Sequence, residues 1–124
     1  MQHNQELAAK QVRIAHSAEI LTPAAQASTN SFVDVADGLI DTLYRSSLAI
    51  IMKNTHGSNG LSWKILGSID GSVFVEVVSS ANIAFGAVGT AYTVSNPPFR
   101  YYKTQIKSQT NDQAAEGTLH MLAK

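Results

Sequence analysis

The chain has 124 residues, nine basic and nine acidic side chains, no cysteine and a formal net charge of zero. The missing cysteine excludes disulfides, cysteine zinc sites and a thiolate nucleophile. The balanced charge argues against nucleic acid or an anionic membrane as a partner, and no apolar run approaches the ~20 residues of a membrane span. Charged residues make up only 15% of the chain, and a surface so poor in charge favours contact with other proteins.

The composition of the chain changes near residue 30. Residues 1–30 contain seven alanines but no aromatic residue and no glycine, whereas all nine aromatic residues lie between Phe32 and Tyr102. A packed core needs large aromatic and branched side chains. We therefore predict an N-terminal arm at residues 1–30 and a β-sandwich domain at residues 31–124.

The predicted arm contains apolar side chains without one continuous pattern. A helical stripe runs from Leu7 to Ala18, Ile14 lies off this stripe, and Pro23 ends any helix before it. We expect the arm to be extended or partly helical. It is either a frayed terminus or a segment that folds against another subunit. The apolar anchors of such an arm are Leu7, Val12, Ile14, Ile20 and Leu21.

Beyond residue 30, apolar residues alternate with polar ones, as in β-strands that bury one face. The Asp70-Gly71 dipeptide between two such runs predicts a hairpin with a type I′ turn. The segment Asn96-Pro97-Pro98 stops the strand before it, because proline donates no ladder hydrogen bond. The predicted strands lie at about residues 32–35, 42–53, 61–65, 73–78, 92–94, 100–108 and 118–124.

Seven or eight short strands separated by turns predict an all-β fold, an antiparallel β-sandwich or jelly roll. No segment beyond residue 30 has the pattern of an amphipathic helix, which argues against a βαβ architecture. The predicted core consists of Val33, Leu43, Leu48, Ile50, Met52, Leu61, Trp63, Ile65, Phe74, Val77, Tyr92, Tyr102, Ile106, Leu119 and Met121.

No arrangement of residues predicts a catalytic, cofactor-binding or metal site. The four histidines are far apart in the sequence and lack the spacing of metal ligands. Asp34, Asp37 and Asp41 lack the spacing of a calcium loop, and we interpret them as turn residues. We therefore expect a protein that is not an enzyme and that takes no cofactor and no small-molecule substrate.

One strand face is mildly basic. The alternation predicts Lys64, Lys103 and Lys107 on one side of the sheet, with Tyr101 between them. Such a face is either solvated, covered by another protein, or a site for sugar or single-stranded nucleic acid. The neutral total charge argues against nucleic acid.

Two segments carry a resemblance to a known family: LSWKILGSIDG at 61–71 and PFRYYKTQIKS at 98–108. Together with the surrounding stretch, about half of the chain, they resemble capsid decoration (cement) proteins, small β-sandwich proteins of tailed-bacteriophage particles. The same segments also resemble discoidin-type, galactose-binding-like sandwiches, but their sugar-binding residues have no counterpart here. The second resemblance therefore implies a scaffold and no sugar-binding activity.

The resemblance to cement proteins implies a virion protein without a catalytic centre. It implies a homotrimer on the outer capsid surface that binds the major capsid protein and locks neighbouring subunits together. One alternative is a carbohydrate- or receptor-binding module in which Tyr101 and Tyr44, or Trp63 if the face assignment is inverted, stack on a sugar ring. Another alternative is a phage tail or baseplate subunit.

Overall fold

The structure is a computed structural model and describes residues 19–28 and 30–124. These residues form strands, turns and loops. The strands are β1 (Glu19–Leu21), β2 (Ala24–Ser28), β3 (Val33–Asp34), β4 (Ile40–Asp41), β5 (Ser47–Asn54), β6 (Leu61–Ser68), β7 (Val75–Ile83), β8 (Tyr92–Ser95), β9 (Tyr101–Ser108) and β10 (Ala114–Ala123).

The strands form two antiparallel sheets that share one core. In the first sheet, β10 lies between β5 and the edge formed by β1 and β2, and β8 lies beyond β5. In the second sheet, β9 lies between β6 and the edge formed by β3 and β4, and β7 lies beyond β6. The pairing is nested, from the outermost pair of β1/β2 with β10 to the innermost hairpin of β6 with β7. Because β1 and β2 share one position in the first sheet and β3 and β4 share one in the second, the ten strands occupy eight positions. Nested pairing of eight positions is the connectivity of a jelly roll, which confirms the predicted all-β sandwich.

Residues 19–28 continue the first sheet along one side of β10. Both β1 and β2 pair antiparallel with β10, and between them the Leu119 N–H donates to the Pro23 carbonyl oxygen at 3.0 Å. Proline fits here because an edge strand needs N–H groups on one side only. These ten residues belong to the part of the chain predicted as an arm. Residues 1–18 lie outside the described residues, and the boundary at residue 30 stays a prediction.

The core lies between the two sheets and consists mainly of inward-facing residues of β5, β6, β9 and β10. Val77 and Tyr92 are half-buried against it. Ten of the predicted core residues are buried: Leu48, Ile50, Met52, Leu61, Trp63, Ile65, Tyr102, Ile106, Leu119 and Met121. The alternation of apolar residues in the long strands therefore predicted most of the core correctly.

Three predicted core residues are wrong. Val33 and Leu43 are exposed, and Phe74 lies outside the core, where its ring faces Lys103. Leu43 is exposed because the predicted strand at 42–53 begins only at Ser47. The residues before it form a turn that projects from the sandwich. The buried residues that the pattern missed are Val35, Ile40, Ile83, Ala115 and Ala123.

The predicted hairpin of β6 and β7 is present, but its turn is not type I′. Residues 69–74 connect the strands, and within them Gly71 has a positive φ of 82° whereas Asp70 does not have a positive φ. The Asp70 Oδ1 atom accepts the N–H groups of Ser72 and Val73 at 2.9 and 3.0 Å. An Asx-type cap therefore closes this turn, in place of two left-handed residues.

Candidate interaction surfaces

The outer face of the first sheet is apolar next to the β1 edge. Ile20, Leu122 and Ala49 lie in one row across β1, β10 and β5, and Ile51 lies in the next row, opposite His120. These residues line a shallow cleft of about 230 Å³, and Ile20 is 69% exposed. We call Ile20, Ala49, Ile51 and Leu122 the apolar face.

Polar residues surround the apolar face. Lys53 and Glu116 point to the same side of the sheet, further along β5 and β10, and both are exposed. His120 is exposed beside Ile51, in agreement with the expectation that it faces solvent or a neighbour. An exposed apolar patch with a polar rim is typical of a protein contact site, because removing apolar side chains from water is favourable.

The outer face of the second sheet carries the predicted basic residues, together with carboxylates. Lys64 lies 3.4 Å from Glu76, and Lys103 lies 3.1 Å from Asp34. Partial burial raises the pKa of Asp34, but hydrogen bonds from Gln105 and Lys103 outweigh it, so the pKa lies below its ordinary value. The positive charge of this face is therefore largely compensated within the sheet.

The lysines of this face also contact two phenylalanine rings. The ammonium groups of Lys64 and Lys107 lie 4.5 and 5.2 Å from the centroid of Phe32, and that of Lys103 lies 4.2 Å from Phe74. At such distances cation–π attraction adds to the ion pairs. The sequence pattern does not place these rings beside the lysines, because only the order of strands in the sheet brings them together.

A cluster of aromatic and charged residues lies where the turn before β5 meets the start of β9. Tyr44 is 70% exposed and has a positive φ of 62°, and the Thr42 hydroxyl anchors its turn by donating to the Arg100 carbonyl oxygen at 2.9 Å. The Arg100 guanidinium lies 4.9 Å from the centroid of Tyr101 and donates to both carboxylate oxygens of Asp41. Those hydrogen bonds lower the pKa of Asp41.

The predicted arm anchors divide into two groups. Leu7, Val12 and Ile14 lie outside the described residues. Ile20 and Leu21 are neighbours in β1 and point to opposite sides of the sheet: Ile20 belongs to the apolar face, and Leu21 is half-buried against the core. Within the described residues, then, one anchor is available to a partner and the other stabilises the sandwich.

The residues considered for other chemistry serve local structure. His56 Nδ1 accepts the N–H groups of Ser58 and Asn59 at 3.1 and 3.0 Å, which makes it a turn residue. In residues 19–28 and 30–124, no three side chains of the types His, Asp and Glu come together in a way that could hold a metal ion. The same part of the chain contains no helix with the length and apolar character needed to cross a membrane.

No family model and no curated protein matches the chain, but solved structures do. The PBSX exported protein XepA covers 89% of the chain at a TM-score of 0.60 and 21% identity. The Yersinia pseudotuberculosis-derived mitogen covers 85% at 0.57 and 11% identity. The SPBc2 prophage-derived protein YomS covers 86% at 0.52 and 7% identity.

What these proteins share with the chain is the fold. The match takes in 86% of the mitogen and 94% of YomS, so the sandwich accounts for most of each of those chains. The chain spans only 37% of the length of XepA. At such low identities the comparison confirms the β-sandwich and assigns no activity.

Proposed function

We propose that this protein is a virion structural protein of a tailed bacteriophage, namely a capsid decoration protein on the outer surface of the head. In this proposal it is a homotrimer that binds the major capsid protein, holds neighbouring capsid subunits together and catalyses no reaction. The resemblance of segments 61–71 and 98–108 to cement proteins supports it, as does the fold shared with the prophage-derived protein YomS.

The apolar face is the observation that carries the proposal. Ile20 is exposed, and the partly exposed Ile51 and Leu122 lie beside it on the same sheet. A contiguous apolar patch of this kind is typical of a contact site for another protein. Each contact is small, but the three copies of a trimer bind the same particle at once. The trimer therefore binds much more tightly than a single copy.

Co-sedimentation with phage heads tests the proposal. The probe is heads of the phage whose genome encodes this chain, prepared without this protein. We expect the purified wild-type protein to co-sediment with them. We expect Leu122→Glu, which places a charge in the apolar face, to bind at least about 10-fold more weakly.

The matched control is Lys107→Glu, which changes charge on the outer face of the other sheet. It should bind heads like the wild-type protein. The fluorescence of buried Trp63 and urea unfolding show whether each variant is folded. If the wild-type protein does not co-sediment with heads, or if folded Leu122→Glu binds them equally well, the proposal is wrong.

The cluster around Tyr44 favours a second candidate function, carbohydrate or receptor binding. An exposed tyrosine held at a positive φ, beside the Arg100–Asp41 pair and Tyr101, offers an aromatic surface and hydrogen-bonding groups to a sugar. The option that used Trp63 is wrong, because Trp63 is buried. A glycan array decides: saturable binding that Tyr44→Ala abolishes supports this function, and no binding rejects it.

A further inference from the structure

Among the residues that the structure describes, one of the four sheet edges of the sandwich is open to another strand. The β1/β2 edge is interrupted at Pro23, the β3/β4 edge consists of two strands of two residues, and β8 has four residues and ends shortly before Pro97. In contrast, β7 has nine residues, contains no proline, lysine or arginine, and carries one charged side chain, Glu76. Natural sandwiches protect their edges by such interruptions and charges, so β7 stands out in the described part of the chain.

The part of β7 nearest the β6–β7 turn is best suited to pairing. Val75 and Glu76 pair with consecutive residues of β6, and the first register shift follows directly after Glu76. Beside this segment is a cleft of about 380 Å³ whose lining includes Gly67, Ile69, Val73, Val75 and Phe99. A free backbone edge next to an apolar cleft provides what strand-addition sites use, hydrogen bonds for affinity and a pocket for side chains.

We propose that residues 12–14 of a second copy of this chain add to the β7 edge as an extra strand. The segment Val12-Arg13-Ile14 and the segment Val75-Glu76-Val77 have the same apolar–charged–apolar pattern. In either strand direction Arg13 then lies opposite Glu76, whose carboxylate also contacts Lys64 at 3.4 Å and is 53% exposed. Opposite charges on neighbouring strands attract. The valine and isoleucine point to the other side of the sheet, toward the apolar cleft.

The position of β1 indicates that the added strand comes from another copy, because a fully extended segment would only just reach and the sandwich lies in its path. β1 and β7 lie at opposite edges of the sandwich and in different sheets. A strand beyond β7 is four strand spacings and one sheet spacing from β1, roughly 22 Å in a straight line. The six residues from Arg13 to Glu19 span at most about 22 Å when fully extended, and their path would have to cross the sandwich itself.

This contact joins different surfaces of the two copies, the N-terminal segment of one and the β7 edge of the next. Such head-to-tail contacts close into rings when the rotation between copies permits. The inference deepens the proposed function and rests on it for the number of copies, three. The strand pairing itself does not depend on binding to a capsid.

Disulfide trapping in the full-length protein tests the pairing, and the natural absence of cysteine keeps the background clean. Directly opposed residues of neighbouring strands are close enough for a disulfide. We expect the double variant Arg13→Cys/Glu76→Cys to form covalent dimers and trimers under mild oxidation, without larger species. The control Arg13→Cys/Glu116→Cys, with the second cysteine on the other sheet, should stay monomeric on a non-reducing gel.

Charge exchange supplies a second measurement. Arg13→Glu and Glu76→Arg should each weaken self-association about 10-fold in sedimentation equilibrium, and the double variant should restore it. The proposal is overturned if the cysteine pair forms no bond or only an intramolecular bond, or if the double charge exchange restores nothing. Trimers that do not bind heads would refute the proposed function and leave the pairing intact. Monomers that bind heads would refute the pairing and the trimer and leave binding to the capsid intact.

Discussion

A buried asparagine at the end of β5 joins the loop that follows it to the end of β7. The Asn54 side-chain amide donates to the carbonyl oxygens of Asn59 and Ile83 at 2.9 and 3.0 Å, and its Oδ1 accepts the His56 N–H at 2.9 Å. Asn54 is fully buried, so no water replaces these bonds when the amide is removed. It therefore acts as a polar tie between β5, the following loop and the end of β7.

We expect Asn54→Ala to lower the free energy of unfolding by about 2–4 kcal/mol, because it leaves buried backbone groups without partners. Urea denaturation followed by Trp63 fluorescence measures the change. The neighbouring Thr55→Ala is the control: its hydroxyl makes only a 3.4 Å contact with Glu116, and its effect should stay within about 0.5 kcal/mol. Equal effects of the two substitutions would refute the assigned role of Asn54.

The pair of Asp41 and Arg100 makes stability depend on pH in the acid range. Hydrogen bonds from Arg100 hold the pKa of Asp41 below its ordinary value of 3.8. Because the folded-state pKa is lowered, the stabilisation is complete above the unfolded-state pKa and is lost as the pH falls through the folded-state value. We expect Asp41→Asn to unfold at slightly lower urea than the wild-type protein at pH 7, and the gap to close near pH 2–3. A gap of the same size at both pH values would contradict the assignment.

At the scale of elements, Gly117 allows β10 to lie close to β5. A Cβ atom there would come within 2.9 Å of both the Lys53 carbonyl oxygen and the Met52 sulfur, which is closer than such atoms approach in folded proteins. The absence of a side chain therefore leaves room for the close contact between the two central strands of the first sheet at this point.

We expect Gly117→Ala to destabilise the protein by about 1–3 kcal/mol, because the Lys53 backbone must shift to admit the methyl group. Gly57→Ala is the matched control, since a Cβ atom at Gly57 meets nothing within 4 Å. That substitution should leave stability unchanged or raise it by up to about 1 kcal/mol. Calorimetric melting of both variants measures the contrast, and a harmless Gly117→Ala would show that the strands separate easily.

At the scale of the whole molecule, residues 19–28 are a structural part of the sandwich. They provide the strands that cover one side of β10, and Leu21 packs against the core. A deletion of residues 1–18 keeps both strands, so at concentrations where the full chain is monomeric it should melt at the same temperature as the full chain. A deletion of residues 1–28 exposes the β10 edge and should melt at a lower temperature and aggregate. Scanning calorimetry compares the two, and equal melting temperatures would contradict this view of β1 and β2.

Sequence reasoning was strongest where one local rule applied. The alternation in Leu61–Ile65 predicted a strand with a buried face, and Leu61, Trp63 and Ile65 are indeed buried. The alternation gave a wrong result at Leu43, which lies in a turn before β5. It missed Ile40, because β4 has only two residues and too short a pattern to show an alternation. The Ala- and Gln-rich β2 was missed because its pairing with β10 comes from a partner 90 residues away.

The sequence by itself determined the fold class, the long strands and most of the core, because these follow from alternation between neighbouring residues and from turn-forming residues. The apolar face and the open edge of β7 were decided only by the tertiary structure. Ile20, Ile51 and Leu122 meet because β1 and β5 both lie beside β10. Among the described strands, β7 is an edge strand because it pairs with β6 alone. Such properties depend on contacts between distant parts of the chain, which no local pattern encodes.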